Sequence, residues 1–75
     1  MRCRCGDKTF TGRDARAVCE AMWRDQRFAL HATLADWMAT GARVTEAVTG
    51  RAVRTDTPAA FLHDLESAGL VEVRP

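Results

Sequence analysis

Five side chains in this sequence could bind a metal: Cys3, Cys5, Cys19, His31 and His63. A structural zinc site takes four such ligands, usually as two pairs with roughly two to four residues inside each pair. Here one residue separates Cys3 from Cys5, and the other three stand singly. Cysteines placed on a strand face and on an apolar helix stripe behave as small core hydrophobes. The reading is therefore core cysteine, with no metal and no cofactor. An odd cysteine count without a secretory leader also gives no disulfide framework.

Catalytic chemistry has less to work with. The single serine, Ser67, falls near the end of a helix, and neither His31 nor His63 has a nucleophile at motif spacing. No Gly-rich phosphate loop is present. Asp64 and Glu66 are two residues apart, which sends them to different sides of a helix. A chain of 75 residues leaves little room for a water-excluding cleft. These features predict a protein that is not an enzyme.

The elements that position these residues can be read from periodicity and end signals. Arg and Cys alternate over residues 2 to 5, Gly6-Asp7 supplies a turn, and Lys8-Thr9-Phe10-Thr11 resumes the strand pattern. This predicts a hairpin with Cys3 and Cys5 on one face and Arg2 and Arg4 on the other. A first helix is expected from about Gly12 to Asp25, capped by Thr11, with Asp14 in its first turn and Ala15, Val18, Cys19 and Met22 as its apolar stripe. Residues 26 to 32 read as a connector.

Thr33 caps a second helix over about Leu34 to Thr49, closed by Gly50. Its stripe is Leu34, Trp37, Met38, Gly41, Val44, Thr45 and Val48. Gly41 inside that stripe costs about 1 kcal/mol of helix propensity relative to Ala, so a neighbouring helix should approach closely there. After an extended connector with Val53 inward, Thr57 and Pro58 start a third helix. Phe61, Leu62, Leu65 and Ala68 form its buried side, and Gly69 ends it. Leu70 to Val73 is a last strand, which must pair to be stable. The order is β-β-α-α-α-β: a single small α+β domain over residues 1–75, with three helices on a two- to three-stranded sheet, antiparallel or mixed.

Composition narrows the partners. Apolar residues make up 47% of the chain, too many for a disordered protein. No apolar run approaches the roughly 20 residues of a membrane span, and the Met-Arg-Cys-Arg-Cys start lacks a secretory core. This points to a soluble cytoplasmic protein with no membrane partner. Net charge is +1, with ten of eleven basic residues Arg and only Lys8 a lysine. Neither an acidic nucleic-acid mimic nor a strongly basic nucleic-acid binder fits that balance, although a local patch would.

A winged-helix DNA-binding regulator would need a hairpin wing after its third helix, where this chain has one strand. Its recognition helix, Pro58 to Ala68, carries Asp64 and Glu66 and no Arg or Lys. Phosphates would repel it. The first helix offers the better face, with Arg13, Arg16, Arg24 and Arg27 interleaved with Asp14, Glu20 and Asp25. Trp and Arg are favoured interface anchors. Arg13, Arg16, Glu20, Trp23, Arg24 and Arg27 are therefore the expected partner-binding residues, in a monomer or homodimer. A small regulator with a helix-turn-helix-like core is the alternative, in which nucleic acid takes the place of a protein partner.

The stretches "KTFTGRDARAVCEAMW" and "RVTEAVTGRAVRTDTPAAFLHDLESAGLVEV" resemble a group of short proteins carried by prophages and integrative elements. The shared pattern consists of capping and core residues and covers most of the chain. Small proteins of this kind from mobile elements include anti-CRISPR inhibitors, which bind a host effector complex and block its action on DNA. The resemblance implies a non-enzymatic inhibitor that docks on a Cas effector. The +1 net charge separates this chain from the acidic, DNA-mimicking members of that class.

Overall fold

The computed structural model describes residues 1–25 and 32–75. Two strands open it, β1 (Arg2–Cys5) and β2 (Lys8–Thr11). Three helices follow, α1 (Ala15–Arg24), α2 (Leu34–Thr49) and α3 (Pro58–Ser67), and β3 (Glu72–Arg74) closes the order. The α+β architecture agrees with the sequence expectation. The sheet is wholly antiparallel, in the order β2-β1-β3.

The hairpin register pairs Cys3 with Phe10 and Cys5 with Lys8. Gly6 has φ +63°, while Asp7 has no positive φ. That combination fits a type II′ turn, whose twist matches the flanking strands. Met1 and Gly12 exchange backbone hydrogen bonds, which carries the ladder one step past β2.

That extra pairing delays the first helix. Thr11 stands in β2 and cannot cap α1. Asp14 does so instead, with extended backbone and a carboxylate accepting the Ala17 N–H at 2.9 Å. Gly12 makes the corner possible, because a Cβ there would lie 2.8 Å from Ala17 Cβ. The other caps follow the sequence. Thr33 Oγ1 accepts from Asp36, Thr57 Oγ1 accepts from Ala60, and Pro58 opens α3.

Gly69, at φ +83°, ends α3. The Gly69 N–H reaches Glu66 O and the Leu70 N–H reaches Leu65 O, which together form a Schellman motif. Because Leu70 turns back into that motif, the last strand begins at Glu72 and not at Leu70.

The core lies between the sheet and the three helices: Cys3 from β1; Ala15, Val18, Cys19 and Met22 from α1; Met38 from α2; Phe61, Leu62 and Leu65 from α3; and Val71. Phe61 and Leu62 are almost wholly buried, each contributing about 1.5–3 kcal/mol.

The stripe of α2 differs from expectation. Met38 and Thr45 are buried, but Val44 and Val48 are 56% and 76% exposed. Around a helix of 3.6 residues per turn, Val44 stands about 100° and Val48 about 60° from Thr45. The stripe is wider than the core can cover, so its Val44–Val48 flank faces outward.

Candidate partner-binding surfaces

Three surfaces emerge: a charged row on α1, an apolar groove beside α2, and the outer face of the sheet.

On α1 the structure brings together three of the six expected residues. Glu20 accepts from Arg16 one turn before it (3.1 Å) and from Arg24 one turn after it (3.3 Å). Both arginines remain largely exposed while Glu20 is more covered. Arg13 extends into solvent, 3.9 Å from Asp14. Trp23 is half-buried at the edge of the row. Arg27 lies outside the described residues, as do His31 and most of the expected 26–32 connector. The row is thus charge-compensated at its centre. Such exposed pairs contribute about 0.3–0.5 kcal/mol each.

The acidic residues of α3 have structural partners. Asp64 accepts the Arg54 backbone N–H at 2.8 Å and a forked guanidinium contact at 2.9 and 3.0 Å. Those bonds hold its carboxyl well below the usual carboxylate range. They also tie residues 51 to 57 to α3, with Val53 packed against the core. Glu66 points the other way, accepting the Val73 N–H at 2.8 Å along the outer edge of β3. His63 is exposed, its Nδ1 3.3 Å from Asp64.

The cysteines divide by burial. Cys3 and Cys19 are fully buried and Cys5 is exposed. Burial pushes the Cys19 thiol up to about 12 and raises Cys3 as well. Among the described residues no three His, Cys, Asp or Glu side chains gather as a metal-holding group. Nor is any helix there long and apolar enough to cross a membrane.

The groove was not anticipated from the sequence. It is open, holds about 270 Å³, and runs between α2, the end of α3 and the sheet. Trp37, Gly41, Val44, Phe61, Leu65 and Leu70 form most of its apolar wall, with Cys5 and Met22 at one side. Among the described residues, Thr40 and Thr45 are its only polar helix residues and no charged side chain lines it. Trp37 and Phe61 meet edge to face, their centroids 5.5 Å apart. Val44 and Leu70, at 56% and 42% exposure, carry the apolar surface outward. The sequence signal for it was the surplus width of the α2 stripe.

No protein-family model matches this chain, and no curated protein or solved structure matches it either.

Proposed function

We propose that this chain is a non-enzymatic protein-binding module that takes an apolar side-chain cluster of its partner into the α2–α3 groove. The observation that carries the reading is the continuity of the core with exposed Val44 and Leu70 across the Gly41 notch. Large apolar side chains gathered around a concave, uncharged wall are a common mark of interaction sites. The lining specifies the occupant. A volume of about 270 Å³ with no charge among its described lining residues suits one or two large apolar residues, such as the anchor face of an amphipathic helix. The Arg16–Glu20–Arg24 row, with Arg13 and Trp23 beside it, is a second contact surface for the same partner class.

The narrower reading, an inhibitor docking on a Cas effector complex, rests on the resemblance of the capping and core pattern to short mobile-element proteins. It is tested by pull-down of the tagged chain from a nuclease-treated lysate of CRISPR-bearing bacteria. Recovery of a Cas subunit, lost with Val44→Asp/Leu70→Asp, supports both the partner and the groove. Loss only with Arg16→Glu/Arg24→Glu moves the contact to α1. A reconstituted effector that ignores the chain at high concentration removes the inhibitor reading. Concentration-dependent self-association of the pure protein, abolished by Val44→Asp, would assign the groove to a second copy. The DNA-regulator alternative finds no support in α3, which carries no cationic side chain and commits both acids to internal contacts.

A further inference from the structure

The outer face of the sheet carries a charge pattern that the sequence conceals, because its members lie at both ends of the numbering. Cross-strand pairing sets Arg2 between Thr11 and Arg74, and Arg4 between Thr9 and Glu72. Alternation along each strand sends these six side chains away from the core, opposite Cys3, Phe10 and Val73. All six are exposed, and five of them line one shallow depression of about 190 Å³. Neighbouring rows are about 6.7 Å apart and neighbouring columns about 4.8 Å.

Three arginines against one glutamate leave this face at +2. The whole chain carries +1, so the rest of the surface nets −1. This face is therefore more positive than the chain as a whole. Arg2 and Arg74 stand directly opposite each other, a like-charge arrangement that disfavours the sheet. Among the described residues Arg2 has no carboxylate at ion-pair distance, and Arg74 has only Glu66, at 3.9 Å. Arg4 is partly held, its Nε donating to Gly6 O at 3.2 Å, with Glu72 as its cross-strand neighbour.

We propose that this face binds the phosphate backbone of nucleic acid, independently of the groove. Charge complementarity selects a polyanion, and the rest of the face selects which kind. Among the described residues it presents no aromatic ring for base stacking and no large apolar side chain. A protein partner would find no buried anchor there, and unstacked bases would find no platform. What remains is a lattice of guanidiniums with threonine hydroxyls beside them, suited to phosphate oxygens. Two arginines about 6.7 Å apart on one strand can reach neighbouring phosphates of one nucleic-acid strand. Glu72 opposes binding and limits affinity. Contact with the backbone alone makes recognition independent of base sequence.

The experiment is an NMR amide-shift titration of the full chain with a 12-base-pair DNA duplex at low salt, repeated with the single strand, polyglutamate and anionic lipid vesicles. The expected result is shifts confined to residues 2–4, 9–11 and 72–74. The log affinity should fall against log salt with a slope of about −2 to −3, as for two or three phosphate contacts. Arg2→Gln/Arg74→Gln should weaken binding at least tenfold and raise the thermal midpoint slightly, because a repulsion is removed. Arg43→Gln/Arg51→Gln, which removes the same charge from exposed positions outside the sheet, should leave affinity unchanged. The proposal is overturned by shifts mapping to α1, by a flat salt response, by no shifts at millimolar duplex, or by polyglutamate or vesicles binding as tightly as DNA.

Discussion

The ring of Phe61 rests in a notch of α2 that exists because residue 41 is glycine. A Cβ at that position would stand 3.2 Å from Phe61 Cζ. Trp37, one turn earlier, meets the same ring edge to face. Phe61 is 1% exposed, so moving its ring disturbs packing on its other sides. The helix-propensity loss at Gly41 is offset by the close approach of α3.

Gly41→Ala should therefore destabilise the domain by about 1 kcal/mol, because overpacking outweighs the propensity gain. In a Phe61→Leu background the same change should become stabilising. A double-mutant cycle from urea unfolding measures this coupling, and additive effects would show that the notch is not shaped by Phe61.

Gly69→Ala places a side chain at φ +83° and should cost about 1–2 kcal/mol. Gly69→Asn should recover part of that loss, since Asn tolerates the left-handed region. The measurement is the urea midpoint of each variant. Equal stability of the Ala and wild-type chains would mean that the Schellman turn does not hold α3 against β3.

Thiol chemistry should separate the cysteines. In the native protein Cys5 should react with a maleimide or disulfide reagent at an ordinary rate. Cys3 and Cys19 should react only on unfolding, because burial removes access and disfavours their thiolates. Mass spectrometry would show one label on the native chain and three after denaturation. Native labelling of Cys19 would contradict the packing of α1. Since Cys5 borders the groove, a bulky label there should also impair partner binding.

The Arg54–Asp64 contact sets a pH dependence. Asp64 is depressed chiefly by the hydrogen bonds from the Arg54 side chain, then by the Arg54 backbone N–H. A carboxyl with a lowered folded pKa stabilises the native state fully above its unfolded value, near 3.8. That contribution is lost as pH falls below 3.8 toward the depressed folded value. The difference in thermal midpoint between wild type and Asp64→Asn should be constant from neutral pH to about pH 5 and shrink below pH 4. A difference that vanished already at pH 5 would place the pair outside the folded-state contacts.

Local chemistry made most of this architecture legible. Thr33, Gly50, Thr57-Pro58 and Gly69 each mark a helix end through bonds to residues within one turn. The first helix starts later than the sequence suggested: Asp14, read there as a first-turn residue, is the cap, because the Met1–Gly12 pairing keeps Thr11 in β2. The functional surfaces were less visible for a related reason. The α1 row is written within one helix and could be read directly. The groove depends on which flank of α2 the core leaves uncovered. The arginine face depends on β3 lying beside β1, a contact between residues about seventy positions apart.

That same pairing fixes when the domain can exist during its own synthesis. The central strand is made first, and the neighbour that completes the sheet is made last. Until Glu72–Arg74 have left the ribosome, Cys3 lacks the Val73 side of its packing and Glu66 has no Val73 N–H to hold. The helices can form turn by turn as they emerge, while the core waits for the final strand. Trimming the chain ahead of residue 72 would thus forfeit cooperative folding of the whole domain, together with the groove and the cationic face.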